Sequence, residues 1–170
     1  YWPAYAEYYC SYGSSKHDCK LENGGNLANG EYLVGPVAEV NGVSYATLAD
    51  AINAAKDGET VNMLASTVCT ENTDLTEVKS VTVDFAQHTF TGDNKNIAIR
   101  SKAEGAGVLT LMNGTITTGD GTYCTLGAAN GSAIVVKDMI LNNSTAFGGS
   151  VKAFPGGTIE LRDSQLNSVK

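Results

Sequence analysis

The chain has 170 residues, 42% hydrophobic and 17% charged, with 19 Gly and 3 Pro. That suits one β-rich domain with a substantial core and argues against a chain that is mainly disordered. A net charge of -7 without a cluster of Lys or Arg argues against a nucleic-acid partner, and no apolar run approaches the ~20 residues of a membrane span. The sequence starts at Tyr1 rather than Met, so we read it as a processed or excised segment.

Residues 1–36 form an N-terminal extension. Pro3 suits the first turn of a helix and Gly13 its end, and Tyr1, Tyr5, Tyr8, Tyr9 and Tyr12 recur on one helical face beside Trp2. Such a face buries a large area while keeping its hydroxyls wet. It is expected to pack on the domain or a partner subunit, ahead of gripping a sugar. Cys10 and Cys19 lie in a Gly/Ser-rich loop, where a local disulfide is the expected use and implies an extracellular setting. Cys10, His17 and Cys19 as zinc ligands is the competing reading, but it lacks a fourth ligand. Cys69 and Cys124 are left open, as a pair or as two buried thiols.

Residues 37–170 form the main domain. Tyr32 to Val34 and Val37 to Tyr45 alternate as short strands, with a hairpin turn at Asn41-Gly42. A helix over 47–56 follows, with Thr47 as N-cap, Leu48, Ala51, Ile52 and Ala55 as its apolar stripe, and Gly58 beyond its end. Val61 to Ala65 then opens the first of a series of β-coils.

From residue 107 the chain repeats every 25 residues. Leu109, Ile134 and Ile159 share a column, as do Leu111, Val136 and Leu161, then Asn113, Asp138 and Asp163, then Ile116, Leu141 and Leu166. A fixed period in the twenties with alternating apolar residues and Asn/Gly turns predicts a solenoid. Extending the columns back predicts Val61/Met63 and Val81/Val83 on the first face, and Val68 and Phe90 on the second. The third face would hold Leu75, Ile97/Ile99, Cys124/Leu126 and Val151/Ala153.

The run from Val37 to Val61, continued by Val81 to Gly92, resembles the opening of right-handed parallel β-helix domains of bacterial surface and secreted proteins, the pectate-lyase-like family. The resemblance implies an all-β fold of about four coils with three faces each, its N-terminal mouth covered by a short amphipathic helix. It carries little about function, because the scaffold serves lyases, adhesins, tail spikes and structural repeats.

A lyase on this scaffold needs acidic residues to hold calcium and an Arg as base. Only Arg100 and Arg162 are present, on different faces, and neither is expected to have an acidic cluster one coil away. A hydrolase needs paired carboxylates, and Asp84 with Asp138 or Asp138 with Asp163 lacks a supporting His or Arg. His88 falls at a turn. Asp138 and Asp163 are weak calcium candidates beside the reading as a solvated turn eased by Lys137 and Arg162.

Catalytic residues and a cofactor are therefore not expected. The expectation is an extracellular or cell-surface module, structural or adhesive, stacking end to end on copies of itself or on further coils. Tyr1, Trp2, Tyr5, Tyr8, Tyr9, Tyr12, Gln165 and Leu166 are the expected assembly surface. The alternative is a protein that binds or cleaves polysaccharide, with host or cell-surface carbohydrate as partner.

Overall fold

Asn41 and Gly42 carry positive φ angles of 50 and 75 degrees. A two-residue hairpin needs that backbone to match the twist of its strands. The turn joins β1 (Ala38–Val40) to β2 (Val43–Tyr45) in the computed structural model, which describes residues 35–93, 96–102, 104–119, 122–144 and 151–168. The chain divides into two compact units, Tyr1–Gly35 and Pro36–Lys170. Tyr1, Trp2, Tyr5, Tyr8, Tyr9, Cys10, Tyr12, His17, Cys19 and the strand expected at 32–34 lie outside the described residues.

The helix α1 (Leu48–Ala54) starts where Thr47 Oγ1 accepts the Asp50 N–H at 3.1 Å, the N-cap bond that Thr supplies best in extended backbone. It is shorter than the 47–56 span read from sequence because Ala55 is already extended, with ψ of 138 degrees. Leu48, Ala51 and Ile52 are buried by it.

Beyond α1 the chain coils. The first coil holds β3 (Thr60–Met63), β4 (Thr67–Cys69) and β5 (Thr73–Leu75). The second holds β6 (Ser80–Asp84), β7 (Thr89–Gly92) and β8 (Ile97–Ser101). In the third, β9 (Val108–Thr118) runs over two faces before β10 (Cys124–Ala128), and the fourth repeats this with β11 (Ala133–Asn143) and β12 (Val151–Ala153). Finally, β13 (Thr158–Arg162) and β14 (Gln165–Ser168) stack on β11. Every pairing from β3 onward is parallel, so the fold is an all-β solenoid of about four coils with a short helix at its mouth.

The 25-residue columns are the strand register. Leu109 pairs with Ile134 and Ile134 with Ile159, Leu111 with Val136 and Val136 with Leu161, and Ile116 with Leu141 and Leu141 with Leu166. In the third and fourth coils these residues are fully buried. Asn113, Asp138 and Asp163 stand between the first and second faces with φ of 61, 53 and 47 degrees. Asn and Asp are the non-glycine residues that tolerate this left-handed backbone best, so the polar column is a requirement of the turn.

The early coils depart from the columns. Val61 pairs with Val83 rather than Val81, and Val83 with Leu111, steps of 22 and 28 residues. Thr67, not Val68, lies beside Phe90, and Val68 is 66% exposed. Leu75 pairs with Ser101 while Thr73 meets Ile99. The cause is uneven turn length: the shifts at Val61 and Leu75 are of two residues and keep the same face, whereas the one-residue slip at Val68 moves its side chain to the opposite face. At the corner of the second and third coils, a Cβ on Gly114 would fall on the Phe85 side chain, so only glycine lets the buried Phe85 fill that corner.

Candidate functional site

Three features outside the core carry chemistry. The first is the turn ladder. Asp138 and Asp163 are exposed, and Asn113 Nδ2 donates to Asp84 Oδ1 at 3.2 Å. Among the described residues no group of three or more His, Cys, Asp or Glu converges as metal ligands would, and the backbone geometry accounts for Asn and Asp here. Calcium takes six or more oxygens, and this turn column contributes the Asp138 and Asp163 carboxylates. His88 lies at the adjoining turn, its N–H donating to Phe85 O at 2.7 Å and its carbonyl accepting from Thr115 N at 3.1 Å.

The second is the outer side of the third face. Asp74 and Arg100 are register partners, and the guanidinium grips the carboxylate with Nε–Oδ1 and Nη2–Oδ2 distances of 2.8 and 2.7 Å. Lys102 Nζ adds a contact of 2.9 Å. Burial pushes the Asp74 carboxyl up, but hydrogen bonds from Arg100 and Lys102 and their charges outweigh it and hold the carboxyl below its usual value. An acidic partner one coil from Arg100, not expected from sequence, is therefore present. It is a single carboxylate held by two cations.

Beside this pair, Lys152 Nζ lies 4.7 Å from the Tyr123 ring centroid and 5.0 Å from that of Phe154, and donates to Tyr123 Oη. Ile97 and Cys124 are buried but stand apart from the central core. A Cβ on Gly127 would come 2.9 Å from Ile97 Cδ1 and 3.3 Å from Phe154 Cε2, which puts Ile97 on this outer side. Burial pushes the Cys124 thiol up to about 11, against the pull of Lys152 and Arg100, so it is protonated at neutral pH and a poor nucleophile. Cys69 and Cys124 are both free thiols, Cys69 on the second face and Cys124 on the third.

The third feature is the edge of the last described coil. Among the described residues β13 and β14 pair only with β11, and the columns that are fully buried one coil earlier emerge here, with Leu161 38% and Leu166 42% exposed. Gln165 is exposed beside Leu166. Glu160 and Arg162 form an exposed ion pair within β13, with an Nε–Oε1 distance of 2.8 Å. Asn167 Nδ2 donates to Asn142 Oδ1 at 3.0 Å, a side-chain bond running along the stack.

The chain matches no protein family, no curated protein and no solved structure. Among the described residues no helix is long and apolar enough to cross a membrane.

Proposed function

We propose that the chain is a non-catalytic, extracellular structural or adhesive module, a right-handed parallel β-helix of the kind that pectate-lyase-like surface proteins carry, whose last coil takes a further β-coil. One observation carries the reading. Leu161 and Leu166 continue core columns whose members one coil earlier have no exposed surface, so the complement of that edge is another coil of the same apolar register. The charged groups of the third face support it too, since the Asp74 carboxylate is held by both Arg100 and Lys102. Size-exclusion chromatography with light scattering, together with electron microscopy, tests it. End-to-end particles that lengthen with concentration are expected, and Leu161→Lys with Leu166→Lys should return them to monomer. A strictly monomeric sample at high concentration would remove the self-assembling form of the reading.

The rings of Tyr123 and Phe154 about Lys152 favour a second reading, carbohydrate binding on the third face. A polysaccharide panel read by isothermal titration, with Tyr123→Ala and Phe154→Ala as comparisons, separates the two. Binding lost in both variants would place carbohydrate recognition ahead of assembly.

A further inference from the structure

The two edges of the main sheet point the same way. β1 is antiparallel to β2 and to β3, so β2 runs in the direction of β3, and β3, β6, β9, β11 and β13 are parallel throughout. The sheet order is β13-β11-β9-β6-β3-β1-β2, and among the described residues β2 pairs only with β1 and β13 only with β11. A parallel strand laid on β13 must run as β2 runs.

The side-chain pattern of the two edges also agrees. Val43 faces Val40 and Tyr45 faces Ala38 across the hairpin, and residues directly opposite in an antiparallel pair lie on one side of the sheet. Val40 and Ala38 are core residues, so Val43 and Tyr45 are on the core side. Val43 is nevertheless 55% exposed. On β13 the core-side pair is Ile159 and Leu161, since their partners Ile134 and Val136 are fully buried. Each edge thus offers two apolar residues at i and i+2 toward the core and a polar residue between them toward solvent, Ser44 on β2 and Glu160 on β13. The neutral Ser44 brings no like charge against Glu160.

Resting on the structural reading above, we propose that β2 of a second copy docks on β13, with Val43 beside Ile159 and Tyr45 beside Leu161. The sheet then continues unbroken and parallel from one copy to the next. A shift by two residues would leave one apolar residue of each strand without a counterpart. The contact is head to tail, so it repeats without closing.

Cross-linking the full chain tests the joint. Ser44→Cys protein is mixed with Glu160→Cys protein under mild oxidation, each also incubated alone, and linked peptides are identified by mass spectrometry. The mixture is expected to give dimers joined between positions 44 and 160, at least tenfold above either protein alone. Val43→Lys, an exposed substitution checked for folding by circular dichroism, should abolish them. Assembly that proceeds without a 44–160 link and ignores Val43→Lys overturns this joint while leaving end-to-end stacking in place. A protein that stays monomeric at every concentration overturns both.

Discussion

The two ends of the solenoid treat the same problem in opposite ways. At the mouth, the first coil is closed by the β1-β2 hairpin and by α1, whose Leu48, Ala51 and Ile52 fill the space a preceding coil would occupy. Lys79 locks this cover. Its side chain is 6% exposed, and its Nζ donates to Asn53 O and Ala55 O at 2.7 and 2.8 Å while meeting Glu77 at 3.0 Å. A cation thereby satisfies the carbonyls at the helix C-terminus, where the helix dipole favours it. Asp57 adds a bond to Ser80 N at 2.7 Å and Gly58 one to Ser80 O, also at 2.7 Å. At the far edge, β13 and β14 carry the same apolar columns without such cover among the described residues. The contrast teaches that a β-coil needs a lid or a neighbour: at the mouth the chain's own helix fills the core while β2 remains an edge strand, whereas at β13 the core columns themselves emerge.

The largest break in this contrast comes from matched deletions at the two ends. Ile52→Ala, beneath the lid, is expected to cost about 2–5 kcal/mol in urea unfolding, whereas Leu166→Ala should cost less than about 1 kcal/mol, since much of that side chain is already in water. Equal losses would erase the difference between the ends.

Next is the lock itself. Lys79→Met keeps the aliphatic stem but strands the buried Ala55 carbonyl and the half-buried Asn53 carbonyl, and about 2 kcal/mol of stability is expected to be lost. Hydrogen exchange should quicken in α1 and the hairpin before it does in β9 and β11. Uniform quickening would mean that the lid has no stability of its own to lose.

A smaller effect, of about 1–2 kcal/mol, is expected for Asp74→Ala on the third face, which leaves Arg100 and Lys102 without their shared partner. Because the folded carboxyl titrates below its usual value, its contribution is complete above the unfolded carboxylate pKa of about 4 and fades as the pH falls through and beneath it. The wild-type protein should therefore lose more stability between pH 5 and pH 2 than Asp74→Asn, as thermal melts would read; parallel curves would deny the pair any role.

Smallest is the turn ladder. Asp138→Gly should be near neutral and Asp138→Val should cost about 1–2 kcal/mol, because a β-branched residue is strained at positive φ. Both should be indifferent to calcium, and a calcium-dependent rise in melting temperature would restore the metal reading of Asp138 and Asp163.

Much of the fold is legible in the residues themselves. Ile134 and Ile159 announce their pairing because the coils from β9 onward have equal length, and Thr47 with the stripe Leu48, Ala51 and Ile52 announces the lid. Legibility fails where the period drifts. Val68 reads as a core residue, yet the unequal early coils put Thr67 in its place. The same drift hides Asp74 from Arg100, since their pairing depends on a third-face register that no constant interval predicts. Lys79 is silent for another reason. Its partners lie 24 and 26 residues earlier on a helix, and a lone lysine gives no local sign of burial. Ile97 and Cys124 read as central core because they are apolar at strand spacing, while they lie outside the central core cluster.

The claim that most needs testing is that the bare edge is a joint. Hydrogen exchange of the full chain, followed by mass spectrometry at rising protein concentration, reads it directly. Amides in β13 and β2 should become protected together as concentration rises, while those of β9 keep their rates. Exchange in β13 and β2 that stays fast at every concentration would contradict the account.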